Sequence, residues 1–274
     1  MPQAAATGPK RIRGFYPSLD AARGDTYDAH VTAAPGSLTP EPPRDGSGDM
    51  FDAIAGRYDL LNRLLSLGID QGWRRRAVAA MNLDGAKSVL DLATGTADLA
   101  ILIAKLYPEL RVTGVDPSMR MLEIGKKKVH DAGLAERVEL EAGIAERLPF
   151  GDGAFDAVSI AFGIRNVPDR PRALREMARV TRPDGRIVIL ELSEPRAGLL
   201  GPLARFHVQT VVPWVGGLLS GSREYRYLQR SIAAFPPAAD FANIMSEAGL
   251  EVLETSPLTF GVCHLYVARP RPVS

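Results

Sequence analysis

Between Ser88 and Leu192 short apolar runs alternate with stretches of helical periodicity, and this alternation restricts the fold more than any other feature of the chain. Ser88-Val-Leu-Asp-Leu92 reads as a buried strand, and Ala97 to Leu106 as a helix stopped by Pro108. Arg111-Val-Thr-Gly-Val115 is a second strand, and Asp116-Pro-Ser opens a helix with Ser118 at its N-cap. Arg137 to Glu141 is a third strand. Phe155 to Ile160, after the Gly151-Asp-Gly153 turn, is a fourth. Pro171 to Val180 is helical, Pro183-Asp-Gly185 turns the chain, and Arg186 to Leu192 is a fifth strand. Such alternation predicts an open, doubly wound parallel sheet that binds its ligand beyond the carboxyl ends of the strands. The end of the chain departs from it. A helix over Ala238 to Ala248 stops at Gly249, and strands Leu250 to Thr255 and Val262 to Ala268 follow, joined only by Ser256 to Gly261. So short a link allows a hairpin but no parallel crossover, so an antiparallel terminal hairpin is expected.

Upstream, Phe51, Ile54, Tyr58, Leu61, Leu64 and Leu65 recur at helical spacing, and a short second helix is expected around Trp73 to Met81. Residues 1–48 hold 7 prolines and 6 glycines without apolar periodicity. They bury too little to offset their ordering entropy, so a disordered tail is expected there and one domain over 49–274. The N-terminus has no secretory apolar region. Residues 1–19 lack acids and carry Lys10, Arg11 and Arg13, but as a transit peptide they would be poor in serine. The uncharged run from Phe206 to Ser222 is too short to span a bilayer and is interrupted by His207, Gln209, Pro213 and Gly216-Gly217, so it reads as buried or interfacial. With 33 basic and 32 acidic residues the net charge is +1, which gives no reason to expect a nucleic-acid partner. The one cysteine, Cys263, excludes an internal disulfide and fits a reducing, cytoplasmic setting. His30, His130, His207 and His264 have no metal-ligand spacing, and no metal is expected.

The first strand runs into Asp91-Leu-Ala-Thr-Gly-Thr-Ala-Asp-Leu99. Small residues in that loop let a ligand approach the backbone. The loop lacks G-x-G-x-x-G, with Ala93 and Ala97 where glycines would stand, and Asp91 would repel a phosphate. An acid there suits a ligand that carries an amino group. Asp116, ending the second strand, can accept both hydroxyls of a ribose; the alternative is a helix-capping aspartate before Pro117. Together these features favour S-adenosylmethionine over NAD.

Further blocks are specific. They are Phe51-x-x-Ile-Ala-x-x-Tyr58-Asp59-Leu-Leu-Asn62-x-x-Leu-Ser66 with Trp73-Arg74, Val89-Leu-Asp-Leu-Ala-Thr-Gly-Thr96, Ala145-Glu-Arg-Leu-Pro-Phe150 and Phe162-Gly-Ile-Arg165-Asn166-Val167. Arg179-Val180 to Glu191-Leu-Ser193, Tyr225-Arg226-Tyr227-Leu228 with Ser231-Ile232, and Leu258-Thr-Phe-Gly261 follow in order. From about Met50 to Arg269 the sequence resembles the ubiquinone/menaquinone biosynthesis C-methyltransferase family. The resemblance implies an α/β class I S-adenosylmethionine-dependent methyltransferase fold with S-adenosyl-L-methionine as cofactor. It implies methyl transfer to a ring carbon of a demethylated quinol. A lipophilic quinol lives in the bilayer, so transient, peripheral membrane contact follows from the resemblance. Benzoquinol and naphthoquinol stay open as acceptors, as does the oligomeric state.

The resemblance carries Asp91, Gly95, Thr96, Asp116, Ile144, Ala145 and Ala161 to the cofactor, and Tyr58, Asn166 and Tyr227 to the substrate, with core packing the alternative for the two tyrosines. Arg165 is the candidate cation that stabilises a phenolate or orients water; the alternative is an ion pair with an acid such as Asp169. His207 is either a base or a structural histidine. Trp73 either closes over the cofactor or packs. Cys263 reads as a small buried residue, and Lys126-Lys-Lys128 as a solvated helix face or a membrane-facing patch. Residues 197–221 read as a cap over a lipophilic tail or as core. The chain also departs from the family pattern. Asp70 stands in place of His, Leu61 of Met, Ala97 of Gly, Asp184-Gly185 of Gly-Gly, Ile144 of Asp or Asn, and Ala161 of Ser. Those changes keep two other functions open, a methyltransferase of a soluble phenolic or natural-product acceptor and a non-catalytic scaffold.

Overall fold

The strands pair in the order β3-β2-β1-β4-β5-β7-β6, with β1 (Ser88–Leu92), β2 (Arg111–Asp116), β3 (Val138–Ala142), β4 (Phe155–Ala161), β5 (Thr181–Leu192), β6 (Leu250–Leu258) and β7 (Cys263–Pro270). The structure is a computed structural model and describes residues 68–194 and 222–272. The expected tail over 1–48, the helix bearing Tyr58, and the apolar segment bearing His207 lie outside the described residues. Strands β1 to β5 pair in parallel, and β7 runs antiparallel to both β5 and β6. The expected doubly wound sheet and terminal hairpin are both present. The helices are α1 (Asp70–Ala80), α2 (Asp98–Leu106), α3 (Met119–Asp131), α4 (Arg170–Val180), α5 (Ser222–Ala233) and α6 (Ala238–Glu247).

Helices cover both faces of the sheet, which is why the central strands read as continuous apolar runs. Val89, Ala157, Val188 and Leu265 pack with Trp73 and Ala77 of α1, Ile103 of α2 and Val129 of α3. Leu90, Val158, Ile189 and Tyr266 pack with Leu174 and Met177 of α4 and Phe241 and Met245 of α6. Caps follow the sequence. Ser118 accepts the Met121 N–H at 3.1 Å, and Asp169 accepts that of Arg172 at 3.0 Å.

Two expectations change. Pro183-Asp184-Gly185 does not precede the fifth strand but lies inside it, as a bulge opposite Asp156. Thr181 pairs with Phe155, and the next partners are Arg186 and Ala157. A Cβ on Gly185 would stand 2.5 Å from the Asp156 carbonyl oxygen, so the bulge closes only on glycine. The terminal strands are also longer than expected, and a turn over Thr259–Gly261 joins them. β6 runs on through Pro257, which pairs with His264, and an edge strand is where a proline is tolerated.

Tyr266 sits edge-on to Phe241 at 5.0 Å, and its buried hydroxyl finds no hydrogen-bond partner among the described residues. Burial raises its pKa above the ordinary phenol value. Tyr266→Phe removes an unmet donor at little change of volume and is expected to leave stability unchanged or raise it by up to about 1 kcal/mol. Denaturant unfolding checks this. A loss of stability would show that the hydroxyl is satisfied in solution.

Candidate functional site

Because β1 connects onward to β2 on one side while β4 pairs with it on the other, the carboxyl ends of β1 and β4 border a crevice. Asp91 of β1, Thr94 to Thr96 of the following loop, Ala161 of β4 and Arg74 of α1 line it. Ala93, Gly95 and Ala97 have φ of 47°, 56° and 67°. Both alanines, at positions where a ligand loop would carry glycine, therefore adopt the left-handed conformation that favours glycine, at a cost of about 1–2 kcal/mol each. Neighbouring bonds hold the loop in that shape. The Thr94 N–H donates to Val115 O at 3.1 Å, and the Gly95 N–H donates to Asp116 Oδ2 at 2.8 Å. Gly163 is fixed by the same loop, since a Cβ there would meet the Ala93 Cβ at 2.4 Å.

Asp91 is 1% exposed and accepts the hydroxyls of Thr94 at 2.7 Å and Ser159 at 2.8 Å. Burial pushes its pKa up to about 6, against the pull of those two hydroxyls and the positive charge of Arg74. Asp116 accepts the Ser118 N–H on Oδ1 at 2.8 Å and the Gly95 N–H on Oδ2. A carboxylate oxygen can accept more than one hydrogen bond, so holding the loop and accepting ribose hydroxyls are compatible roles. The Gly143 N–H donates to the Asp116 carbonyl at 3.1 Å, which brings Ile144 and Ala145 beside this acid. Ala145 is buried, whereas Ile144 is 43% exposed. The lysine run is divided in its roles. Lys127 pairs with Asp131 on the surface, but Lys128 bends back to Thr96 at 3.0 Å and to Asp98, so it braces the loop and is no part of a solvated face.

Past β4 the chain makes a short 3-10 turn, Ile164–Asn166. Arg165 is buried there and pairs with the fully buried Glu191 at 2.6 Å. Its partner is therefore Glu191 and not Asp169, which caps α4. Arg165 also donates to Phe162 O at 2.6 Å, and Glu191 accepts the backbone N–H of Arg165 at 3.1 Å. Tyr227 of α5 donates its hydroxyl to Asn166 Oδ1 at 3.2 Å, so two of the expected substrate residues meet. Trp73 is buried and donates its indole N–H to Thr259 at 2.8 Å, which favours packing. Ser193 Oγ lies 2.6 Å from His264 Nδ1 and 2.8 Å from Gly261 O, and burial lowers the His264 pKa.

Asp91, Gly95, Thr96 and Ala161 are thus gathered at one crevice, with Asp116, Ile144 and Ala145 adjoining the loop. Sequence reasoning missed three participants. Thr94 and Ser159 are ordinary small polar residues until strand register sets them against Asp91. Arg74 lay in a quoted block, but only the packing of α1 turns it into the crevice. Its buried Nε has no hydrogen-bond partner among the described residues. Asp70 stands 3.6 Å from that Nε as its ion-pair partner, and a cation beside a buried acid fits the zwitterionic methionyl end of S-adenosylmethionine. Among the described residues no cluster of His, Cys, Asp and Glu could hold a metal ion.

The chain is similar to several known proteins. The ubiquinone/menaquinone biosynthesis C-methyltransferase UbiE of Geotalea uraniireducens is 46% identical over 220 residues, covering 80% of this chain and 94% of that one. The demethylmenaquinone methyltransferase of Thermus thermophilus is 48% identical over 219 residues, covering 80% and 98%. A solved S-adenosylmethionine-dependent methyltransferase of Thermotoga maritima, described as a possible histamine N-methyltransferase, matches with a TM-score of 0.54 at 20% identity, over 81% of this chain and 98% of that one. That last likeness is one of fold. Since residues 44–269 also match the ubiE/COQ5 methyltransferase family as a whole, the chain belongs to that family of S-adenosylmethionine-dependent methyltransferases.

Proposed function

We propose that this chain transfers a methyl group from S-adenosylmethionine to a ring carbon of a demethylated quinol in menaquinone or ubiquinone biosynthesis. The observation that carries the reading is an intact crevice, with a buried acid at β1 and a second acid at β2, in a chain 44–48% identical to relatives named for that reaction. When bound, the cofactor supplies a methyl group on a sulfonium, already activated for transfer. The work left to the protein is orientation and exclusion of water. Asp91 takes the cofactor's ammonium, Asp116 its ribose hydroxyls, and Thr94 to Thr96 let it approach the backbone. Asn166, held by Tyr227, faces the acceptor, while Arg165 and Glu191 fix the turn that carries it. A lipophilic acceptor requires the protein to meet the bilayer transiently. No described helix is long and apolar enough to cross it.

Ile144 gives up a side-chain bond that an acid could make to the adenine amino group. Its exposure means that Asp at 144 would not be stranded in an apolar pocket. Ile144→Asp is expected to tighten S-adenosylmethionine binding about tenfold. Titration calorimetry at neutral pH checks it, and weaker binding would show that adenine lies elsewhere. The reaction itself is tested with labelled S-adenosylmethionine and both demethylated quinol classes. Label on a ring carbon of one of them is expected. Methylation of soluble phenols alone would replace this reading with the natural-product one.

A further inference from the structure

We infer that His264 is the base that takes the phenolic proton of the acceptor. The inference rests on the quinol reading above and deepens it, by naming the group that turns the ring into a nucleophile.

Ser193 follows the last residue of β5, and His264 is the second residue of β7. Ser193 Oγ lies 2.8 Å from Gly261 O and 2.6 Å from His264 Nδ1. A carbonyl only accepts, so the Ser193 hydroxyl donates to Gly261 and its oxygen accepts the His264 Nδ1–H. That chain fixes the tautomer, and the neutral ring keeps its lone pair on Nε2. Among the described residues the ring is hydrogen-bonded through Nδ1 alone. The turn that supplies the carbonyl is strained. Thr259, Phe260 and Gly261 have φ of 44°, 58° and 83°, and the Trp73 indole ties Thr259 to α1 at 2.8 Å. Two residues with side chains held in the left-handed region mark a shape imposed by the surroundings, as happens at functional sites.

The cofactor crevice lies at the carboxyl ends of β1 and β4, and β5 and β7 are the next strands in the sheet. His264 stands opposite Glu191 in the β5–β7 register, so the two side chains share a face. Glu191 holds Arg165, and the next residue, Asn166, meets Tyr227. His264 therefore borders the turn assigned to the acceptor. The other titratable groups around it are less suited to accept a proton. Glu191 is fully buried and neutralised by Arg165. Tyr266, with its ring 6.1 Å from that of His264, and Cys263 are buried, and burial raises both pKa values, so they hold their protons. Glu194 is exposed past the end of β5. His264 is half-buried, and burial lowers its pKa below the ordinary 6.5, so at pH 7 it is neutral and can accept.

In the step, the phenol O–H bond breaks and the proton passes to Nε2. The oxygen's electron pair moves through the ring, the adjacent ring carbon bonds the methyl group, and the methyl–sulfur bond breaks with its electrons left on sulfur. The same carbon then releases its hydrogen to water as a proton, which restores the aromatic ring, and His264 returns its proton to the phenolate. One proton is released for each sulfonium charge lost.

The test measures kcat against pH for the wild type, His264→Gln and Ser193→Ala, using labelled S-adenosylmethionine and the demethylated quinols, with calorimetric titration of the cofactor alongside. Wild-type kcat should fall as pH drops below 6.5, because protonation of Nε2 removes the base. His264→Gln should bind the cofactor as the wild type does and lose about a hundredfold or more in kcat at pH 7. Its acid limb should vanish, leaving a rate that climbs with pH as the phenol ionises unaided. Ser193→Ala frees the tautomer and should lose about tenfold while keeping the acid limb. A folded His264→Gln with wild-type kcat, or with lower kcat and an unchanged pH profile, would overturn the role. Should His264→Gln fail to fold, an unchanged kcat in Ser193→Ala together with a flat wild-type profile would overturn it. Wild-type protein that binds the cofactor yet labels no quinol would instead sink the quinol reading, and this role with it.

Discussion

Replacing Asp91 with Asn is expected to stabilise the free protein at neutral pH and to weaken S-adenosylmethionine binding in the same step. Burial raises the folded pKa of Asp91 to about 6, above the ordinary carboxylate value of 3.8. Between those values the folded state binds a proton that the unfolded state has released. Stability therefore falls as pH rises from about 4 to about 6, by roughly 2–3 kcal/mol. An Asn carries no charge to desolvate, and the Thr94 and Ser159 hydroxyls can rotate to accept from its amide. A gain of about 1–2 kcal/mol at pH 7 is expected from part of that difference. Cofactor binding runs the other way. Acid neutralises the group that faces the ammonium, so wild-type affinity should drop as pH falls below about 6. Asp91→Asn should bind about ten- to a hundredfold more weakly at pH 7, with little pH dependence left. Melting curves and titrations at pH 5 to 8 test both halves. Wild-type affinity that stays flat across that range would remove Asp91 from the ammonium.

This opposition of stability and binding explains why Asp91 could be singled out from sequence while its environment could not. An acid at the end of an apolar strand is visible in a string of letters. The hydroxyl of Ser159 lies on β4, and only the pairing of Asp91 with Ser159 in register sets the two side by side. The same limit applies to Arg165. Its position after β4 is readable, but the ion pair that stands as the alternative to a free cation points locally to a near acid such as Asp169. Glu191 lies 26 positions away, and the two meet only once β4 and β5 pair. Long-range partners follow from strand order, and strand order is not a local property.

The fold itself was more legible, since helix and strand periods are local. Where it departed from expectation, the cause was tertiary. Pro183-Asp184-Gly185 has the chemistry of a turn, and pairing with β4 drew it into a bulge. Ala93 and Ala97 read as a loss of glycine from a ligand loop. The structure keeps the glycine-like backbone and bears the strain, held by Asp116, Val115 and the Lys128 brace.

The Arg165–Glu191 pair carries the largest expected effect on stability. Both groups are buried, and Glu191 is inaccessible to solvent. Removing the cation alone leaves a carboxylate without its counter-charge in an apolar setting, so Arg165→Met is expected to cost about 3–5 kcal/mol. Adding Glu191→Gln removes the stranded charge and keeps one oxygen, which can accept only one of the two backbone N–H groups that Glu191 now accepts, Arg165 on Oε2 at 3.1 Å and Leu192 on Oε1 at 2.8 Å. The double variant should recover most of the loss and cost about 1–2 kcal/mol against wild type. This pair of variants also separates the two roles given to Arg165. A guanidinium already neutralised by Glu191 is a weak partner for a phenolate, so its main effect should be to hold Asn166 against Tyr227. On that view the double variant regains measurable methyl transfer along with its stability. If it folds and binds S-adenosylmethionine as the wild type does yet transfers no methyl group, then the guanidinium acts on the acceptor directly, and Arg165 is a catalytic residue after all.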